Sequence, residues 1–129
     1  MVKHTSRLRV LVVEDELLIR WSIAETLARI GHTVIEADSA QSAVRALKET
    51  TAPVDVILLD YRLPDSNDLS LLVTVRRLAP RSAVVMMTVY GTPDLKKGAL
   101  DLGAYDVVDK PFDMQDLEPI VLGAYAATR

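Results

Sequence analysis

Apolar runs of strand length alternate along the chain with stripes at helical spacing. Leu8–Val13 is a mostly apolar run that ends in Glu14-Asp15-Glu16. From Glu16 to Ile30, Ile19, Ile23, Leu27 and Ile30 recur every three or four residues, and Gly31 stops the segment. Thr33–Ala37 predicts a second strand. Ser39 is placed to cap a helix reaching about Glu49, with Val44, Leu47 and several alanines on its apolar side. Pro53 breaks the chain before Val54-Asp55-Val56-Ile57-Leu58-Leu59, a run that closes on Asp60. A helix over Leu69–Leu78 is ended by Pro80, and Ala83–Thr88 predicts the fourth strand. Pro93 opens and Gly103 closes a short helix. Tyr105–Val108 is the fifth strand, and Asp113 is placed to cap a last helix reaching about Ala127. Pro119 lies inside that helix and is expected to kink it or delay its start.

Five βα units with short loops imply an α/β fold: a parallel sheet between two layers of helices. The strand ending in Asp60 is rich in Val, Ile and Leu, as a strand buried on both faces must be. At 129 residues, half of them hydrophobic, the chain is expected to be one domain spanning 1–129, with any effector domain lying outside it. A net charge of −3 argues against direct nucleic-acid binding. The absence of cysteine excludes disulfides and thiolate metal sites. No apolar run approaches the roughly 20 residues of a membrane span, and Met1–Arg9 has no signal-peptide core. A cytoplasmic location without membrane contact is the expectation.

The strand ends carry the candidate chemistry. Open α/β sheets bind ligands at the carboxyl ends of their strands. There the sequence delivers the acidic pair Glu14-Asp15, the lone Asp60, the Thr88 hydroxyl and the Asp109-Lys110-Pro111 segment. Together these make a metal-assisted phosphoryl site. Other polar residues have plainer readings. Glu16 decorates a helix start. Asp55, Asp65, Asp68, Asp106 and Asp109 read as solvated loop or strand-edge carboxylates. His4 and His32 have no partner at ligand spacing and read as structural, and Tyr105 reads as core or edge packing.

Four pieces in order carry a resemblance: Leu11-Val12-Val13-Glu14-Asp15-Glu16, Leu58-Leu59-Asp60-Tyr61-Arg62-Leu63-Pro64, Met86-Met87-Thr88, and Gly103-Ala104-Tyr105-Asp106-Val107-Val108-Asp109-Lys110-Pro111-Phe112. Each alone is weak; the four at these separations are specific. The chain resembles the receiver domain of bacterial two-component response regulators over roughly Leu8 to Ala127. Arg20-Trp21 and Lys110-Pro111-Phe112-Asp113 look most like nitrogen-regulator-type receivers. The resemblance implies a flavodoxin-like (βα)5 fold with strand order 2-1-3-4-5. It implies a signalling switch, not a turnover enzyme, whose partner is a sensor histidine kinase or phosphotransfer protein. It also implies homodimerisation through helix 4, strand 5 and helix 5, and transcription as the controlled output.

The residues suit those roles. A carboxylate can be the nucleophile in phosphoryl transfer, giving an acyl phosphate on Asp60. Carboxylate and phosphoryl repel, so a cation must sit between them, and Mg²⁺ takes one or two carboxylates plus phosphate oxygens. Asp15 and Asp60 are expected as direct ligands and Glu14 as one acting through water. The resemblance adds the backbone carbonyl of Arg62. Lys110 supplies positive charge to the phosphoryl oxygens and Thr88 a hydroxyl donor. The resemblance also implies a cis Lys110-Pro111 bond, and places Arg62 and Tyr90 where receivers tune the lifetime of the phosphorylated state.

Some positions depart from the family pattern. Glu14 replaces the commoner Asp. Val89 stands where Ala or Gly is usual, and should crowd the phosphorylation site. Val107 replaces the aromatic that swings inward on activation, so Thr88 and the loop from Val89 to Pro93 would have to carry the signal. Asn67-Asp68 fills a turn that usually ends in Gly, and both tolerate left-handed backbone. A haloacid-dehalogenase-type phosphatase would need a second Asp at Arg62, which cannot donate a proton. A pseudo-receiver would not need the intact acidic pair, and a dinucleotide site would need a Gly-x-Gly-x-x-Gly after strand one. Leu17, Leu18 and Trp21 lie off the core stripe of helix one and suggest a docking patch for the kinase, unless Trp21 packs on the N-terminal segment. Helix four, with Gly98 in its interior, is expected to be among the least stable elements.

Overall fold

The computed structural model describes residues 7–128; His4 lies outside them. In chain order the elements are β1 (Arg9–Val13), α1 (Leu17–Ile30), β2 (Thr33–Ala37), α2 (Ala40–Glu49), β3 (Val56–Asp60), α3 (Ser70–Leu78), β4 (Ala83–Thr88), α4 (Pro93–Asp101), β5 (Asp106–Asp109) and α5 (Leu117–Ala127). The strands form one parallel sheet in the order β2-β1-β3-β4-β5, the flavodoxin-like topology expected from the sequence.

Alternation along the strands builds two cores. Leu11, Val13, Ile57, Leu59, Val84 and Met86 point to one face, where α2, α3 and α4 add Ala43, Leu72, Val75 and Ala99. Val10, Val12, Val56, Leu58, Val85 and Met87 point to the other, covered by Ile23 and Leu27 of α1 and by Leu117, Val121 and Ala124 of α5. Burial on both faces explains why β3 and β4 are continuously buried. The edge strand β2 alternates less strictly and is half-buried.

The helix ends follow local chemistry. Gly31 and Gly103 both adopt positive φ, at 108° and 102°, where a side chain would be strained. Thr92 caps α4 by accepting from the Leu95 amide, and Pro93 takes the first helical position. The start of α5 differs from the sequence expectation. Asp113 makes no side-chain cap; the chain first tightens into a 3-10 turn at Met114–Asp116. Pro119 is then the third residue of α5, where no intrahelical amide bond is lost, so it delays the helix without kinking it. The α1 stripe is also narrower than its spacing suggests. Ile23 and Leu27 are fully buried, while Ile19 and Ile30 are half-buried. Tyr105 is not core: it is exposed, with its hydroxyl over Gly123 of α5.

Candidate functional site

The parallel register brings the polar strand ends to one edge. Val13 pairs with Leu59, Asp60 with Met87, and Thr88 with Asp109, so Glu14, Asp60, Thr88 and Lys110 all leave the sheet at its carboxyl end. Glu14, Asp15 and Asp60 each bring a carboxylate oxygen within 4.8 Å of the others. Glu14 and Asp60 are buried and Asp15 is exposed, so the cluster opens to solvent on the Asp15 side. Lys110 Nζ bonds Glu14 Oε1 and lies 3.2 Å from Asp60 Oδ2. The Lys110-Pro111 bond is cis, and the Lys110 amide donates to the Thr88 carbonyl at 2.8 Å.

The charges in this cluster are unequally satisfied. Burial, and then the neighbouring Glu14 carboxylate, push the Asp60 carboxyl up to about 7, against the pull of Lys110. Burial also pushes Glu14 up. The Lys110 ammonium, the hydrogen bond to Asp60 and the Glu16 amide outweigh it, so Glu14 sits below the usual carboxylate range. Burial draws Lys110 down, but the two carboxylates hold it above its ordinary value. The nucleophile candidate is thus the group on which the electrostatic tension falls.

The remaining candidates flank Asp60. The Thr88 hydroxyl is buried and accepts from the Tyr90 amide at 3.0 Å, which leaves its own proton to be donated. The Arg62 amide donates to Asp60 Oδ1 at 3.3 Å. Its guanidinium sits over the Tyr90 ring, 4.7 Å from the centroid. Val89 is exposed and lines an apolar groove of about 360 Å³ with Leu18, Ile19, Lys110, Phe112 and Met114. Val107, which stands where receivers usually carry an aromatic, is buried in the core cluster that includes Ala99 of α4.

Several contacts were not foreseen from the sequence. The Arg20 guanidinium donates to the Glu14 carbonyl at 2.9 Å and pairs with Glu36 at 3.0 Å, clamping the β1 end to β2. The carboxylates read as solvated are mostly engaged. Asp55 accepts the Arg9 amide at 2.8 Å, Asp68 the Ser70 amide at 2.8 Å, and Asp109 pairs with Lys96 at 3.2 Å. Asp65 accepts the Ala40 and Gln41 amides at 2.7 and 3.0 Å. His32 is structural, as expected: its Nδ1 accepts the Leu8 amide at 3.0 Å, far from the acidic cluster along β1.

Comparison with known proteins identifies the family and the fold. Residues 10–122 match the family model described as "Response regulator receiver domain". Over 116 residues the chain is 37% identical to the transcriptional regulatory protein PdtaR of Mycobacterium tuberculosis, covering 88% of this chain and 54% of that protein. It superposes on NtrX from Brucella abortus with a TM-score of 0.86 at 30% identity, covering 95% of this chain and 28% of that one. It superposes equally well on the beryllofluoride-activated NtrC4 receiver domain dimer, with a TM-score of 0.85 at 30% identity, covering 94% of this chain and 98% of that one. The chain therefore spans about half the length of PdtaR and little more than a quarter of NtrX.

Proposed function

Because the chain belongs to the response regulator receiver domain family of two-component systems, we propose that it is a phosphorylation-controlled switch whose phosphoacceptor is Asp60. The observation that carries this is the convergence on Asp60 of two further carboxylates and one ammonium. Receiver domains are signalling domains, not conventional enzymes. This one would catalyse only its own phosphorylation and dephosphorylation.

The donor set fits Mg²⁺: three carboxylates within reach of one another, all hard oxygen ligands, one side open for waters. Asp15 and Asp60 would hold the ion directly, Glu14 through water, and the Arg62 carbonyl would complete the protein's share. When bound, Mg²⁺ neutralises charge between the carboxylates and the incoming phosphoryl group. Asp60 Oδ attacks phosphorus; the P–N bond to a phosphohistidine breaks as the P–O bond forms, and the imidazole keeps the electron pair. The Lys110 ammonium, already placed at Asp60, neutralises the phosphoryl oxygens, and the Thr88 hydroxyl donates to one of them. Water then cleaves the acyl phosphate.

The phosphoryl donor is a sensor histidine kinase or phosphotransfer protein. Its docking surface would be the exposed Leu17, Leu18 and Trp21 beside the groove lined by Leu18, Ile19 and Phe112. The signal leaves through α4, β5 and α5, with Thr88 and the loop from Val89 to Pro93 moving in place of the missing aromatic. That face would also form a homodimer, as the relative named above is a dimer. The output is transcription, controlled by a partner region and not by nucleic-acid contact from this domain. Among the described residues no helix is long and apolar enough to cross a membrane, and the cytoplasm is the proposed location.

The decisive experiment is incubation with a small phosphodonor and Mg²⁺, followed by intact mass. One phosphoryl group should be gained by the natural chain and none by Asp60→Asn. Undiminished labelling of that variant would overturn the assignment.

A further inference from the structure

The loop after β3 is held at its start and at its tip. At its start the Arg62 amide donates to Asp60. Immediately beyond, Leu63 and Ser66 exchange backbone hydrogen bonds of 2.8 and 3.2 Å, closing a tight turn with Pro64 and Asp65 at its tip. From that tip the Asp65 carboxylate reaches α2 and takes one amide on each oxygen, Ala40 at 2.7 Å and Gln41 at 3.0 Å.

The bonds at the α2 N-terminus account for themselves. A helix start leaves its first amides without intrahelical partners. The Ser42 amide goes to the Ser39 hydroxyl, and the Ser42 hydroxyl receives the Ser39 amide in a reciprocal cap. That leaves the Ala40 and Gln41 amides, and Asp65 takes both from 25 and 24 residues away in sequence. Those two amides hold its carboxyl below the usual range. Water could satisfy exposed amides equally well, so the helix does not need Asp65. The loop gains more from the contact: Leu63 anchors the start of the turn in the core, and Asp65 adds a second tie that fixes its exposed tip to α2.

We propose that Asp65 is a positioning residue of the metal site: by clamping the Leu63–Ser66 turn to α2, it holds the Arg62 carbonyl where it completes the ligand set. The inference rests on the reading of Arg62 as a ligand given above. Ligand-bearing backbone that is free to wander costs ordering entropy when metal binds. Groups hydrogen-bonded directly to metal ligands are worth about 10- to 100-fold in affinity; Asp65 acts from three residues further along the loop, so the low end of that range applies.

The test is titration of the full chain with Mn²⁺, free ion being counted by electron paramagnetic resonance. Asp65→Ala should weaken binding by about tenfold. Asp65→Asn keeps one acceptor oxygen and should fall between the two. Ser39→Ala separates positioning from mere helix capping: it removes a cap from the same helix end but touches no loop residue. It should lower the melting temperature while leaving Mn²⁺ affinity as in the natural chain. Unchanged affinity in Asp65→Ala, or equal weakening in Asp65→Ala and Ser39→Ala, overturns the positioning role. Failure of the natural chain itself to bind Mn²⁺ saturably overturns the metal reading beneath it.

Discussion

Lys110 Nζ lies 3.2 Å from Asp60 Oδ2 while bonding Glu14, so one ammonium serves two buried carboxylates. The arrangement favours Glu14 and leaves Asp60 up at about 7. In the unfolded chain an Asp titrates near ~3.9. Between that value and about 7 the folded state therefore keeps a proton that the unfolded state releases. Stability contributed by this group is full at low pH, falls as pH rises through the window, and is flat above it. Asp60→Asn removes the effect. In metal-free buffer it should be more stable than the natural chain by at least ~1 kcal/mol at pH 8, with the gain vanishing near pH 4. Thermal melts at pH 4, 6 and 8 check this. A variant melting below the natural chain at pH 8 would mean that Lys110 attraction outweighs burial and Glu14 repulsion.

The Arg62–Tyr90 stack joins the loop after β3 to the loop after β4. Its two residues bracket Asp60: the Arg62 amide bonds Asp60, and the Tyr90 amide bonds Thr88. A stack in this place would screen an acyl phosphate on Asp60 from water. Tyr90→Ala should shorten the lifetime of phospho-Asp60, and Arg62→Ala should do the same. If the stack is the cause, the double variant should be no faster than the faster single variant. The coupling should be near the ~0.5–1 kcal/mol of an exposed cation–π contact. Lifetimes are read by loss of the phosphoryl mass after rapid removal of the donor. Strictly multiplicative effects would show that the two side chains act separately.

Leu17, Leu18 and Trp21 of α1 are 64, 72 and 58% exposed, and Leu18 lines the groove that reaches Val89 and Lys110. Trp21→Ala removes little packing, so stability should stay within ~0.5 kcal/mol. Phosphotransfer from the cognate kinase should slow, while labelling by a small phosphodonor, which needs no docking, should not change. Equal effects on the two donors would place Trp21 in the chemistry or the fold, not in docking.

The fold was legible because burial imposes a period. Strands covered on both faces had to be apolar throughout, as β3 and β4 are, and helices had to show a stripe. The strand-end carboxylates were legible for the same reason, since a charge closing an apolar run must sit at the lip of the sheet. What could not be read were contacts between residues far apart in sequence. Asp65 looked like any loop carboxylate, because the amides it caps belong to α2. Arg20 signalled nothing of its bond to the Glu14 carbonyl, which depends on how α1 crosses the β1 end. Asp113 had the right residue type for a cap, but the 3-10 turn at Met114–Asp116 moved the start of α5 beyond its reach. Of the two readings of Tyr105, core or edge packing, the structure takes the second, because β5 begins one residue later and leaves the residue outside on α5.

Gly91 is pressed against Asp109: a Cβ there would lie 2.0 Å from Asp109 Oδ1. The other oxygen of that carboxylate holds Lys96 of α4 at 3.2 Å. Asp109 itself pairs with Thr88 in the sheet register, so its carboxylate links the loop after β4 to α4 from a strand that borders the site. Gly91→Ala must displace this side chain, which is exposed and free to move, and the displacement takes it off Lys96. An exposed pair of this kind is worth at most ~1 kcal/mol, so the fold survives. But α4 carries Gly98 in its interior, at a further ~1 kcal/mol relative to Ala, so it is the helix expected to respond. Amide exchange over residues 93–101 should therefore quicken in Gly91→Ala and in Lys96→Ala, with α1, α2 and α3 unchanged. If the Thr88 hydroxyl donates to the phosphoryl group as proposed, beryllofluoride on the natural chain should alter exchange in the same stretch and in the loop from Val89 to Pro93. If α4 exchanges at its natural rate in both variants and does not respond to beryllofluoride, the signal passes to the output face without α4.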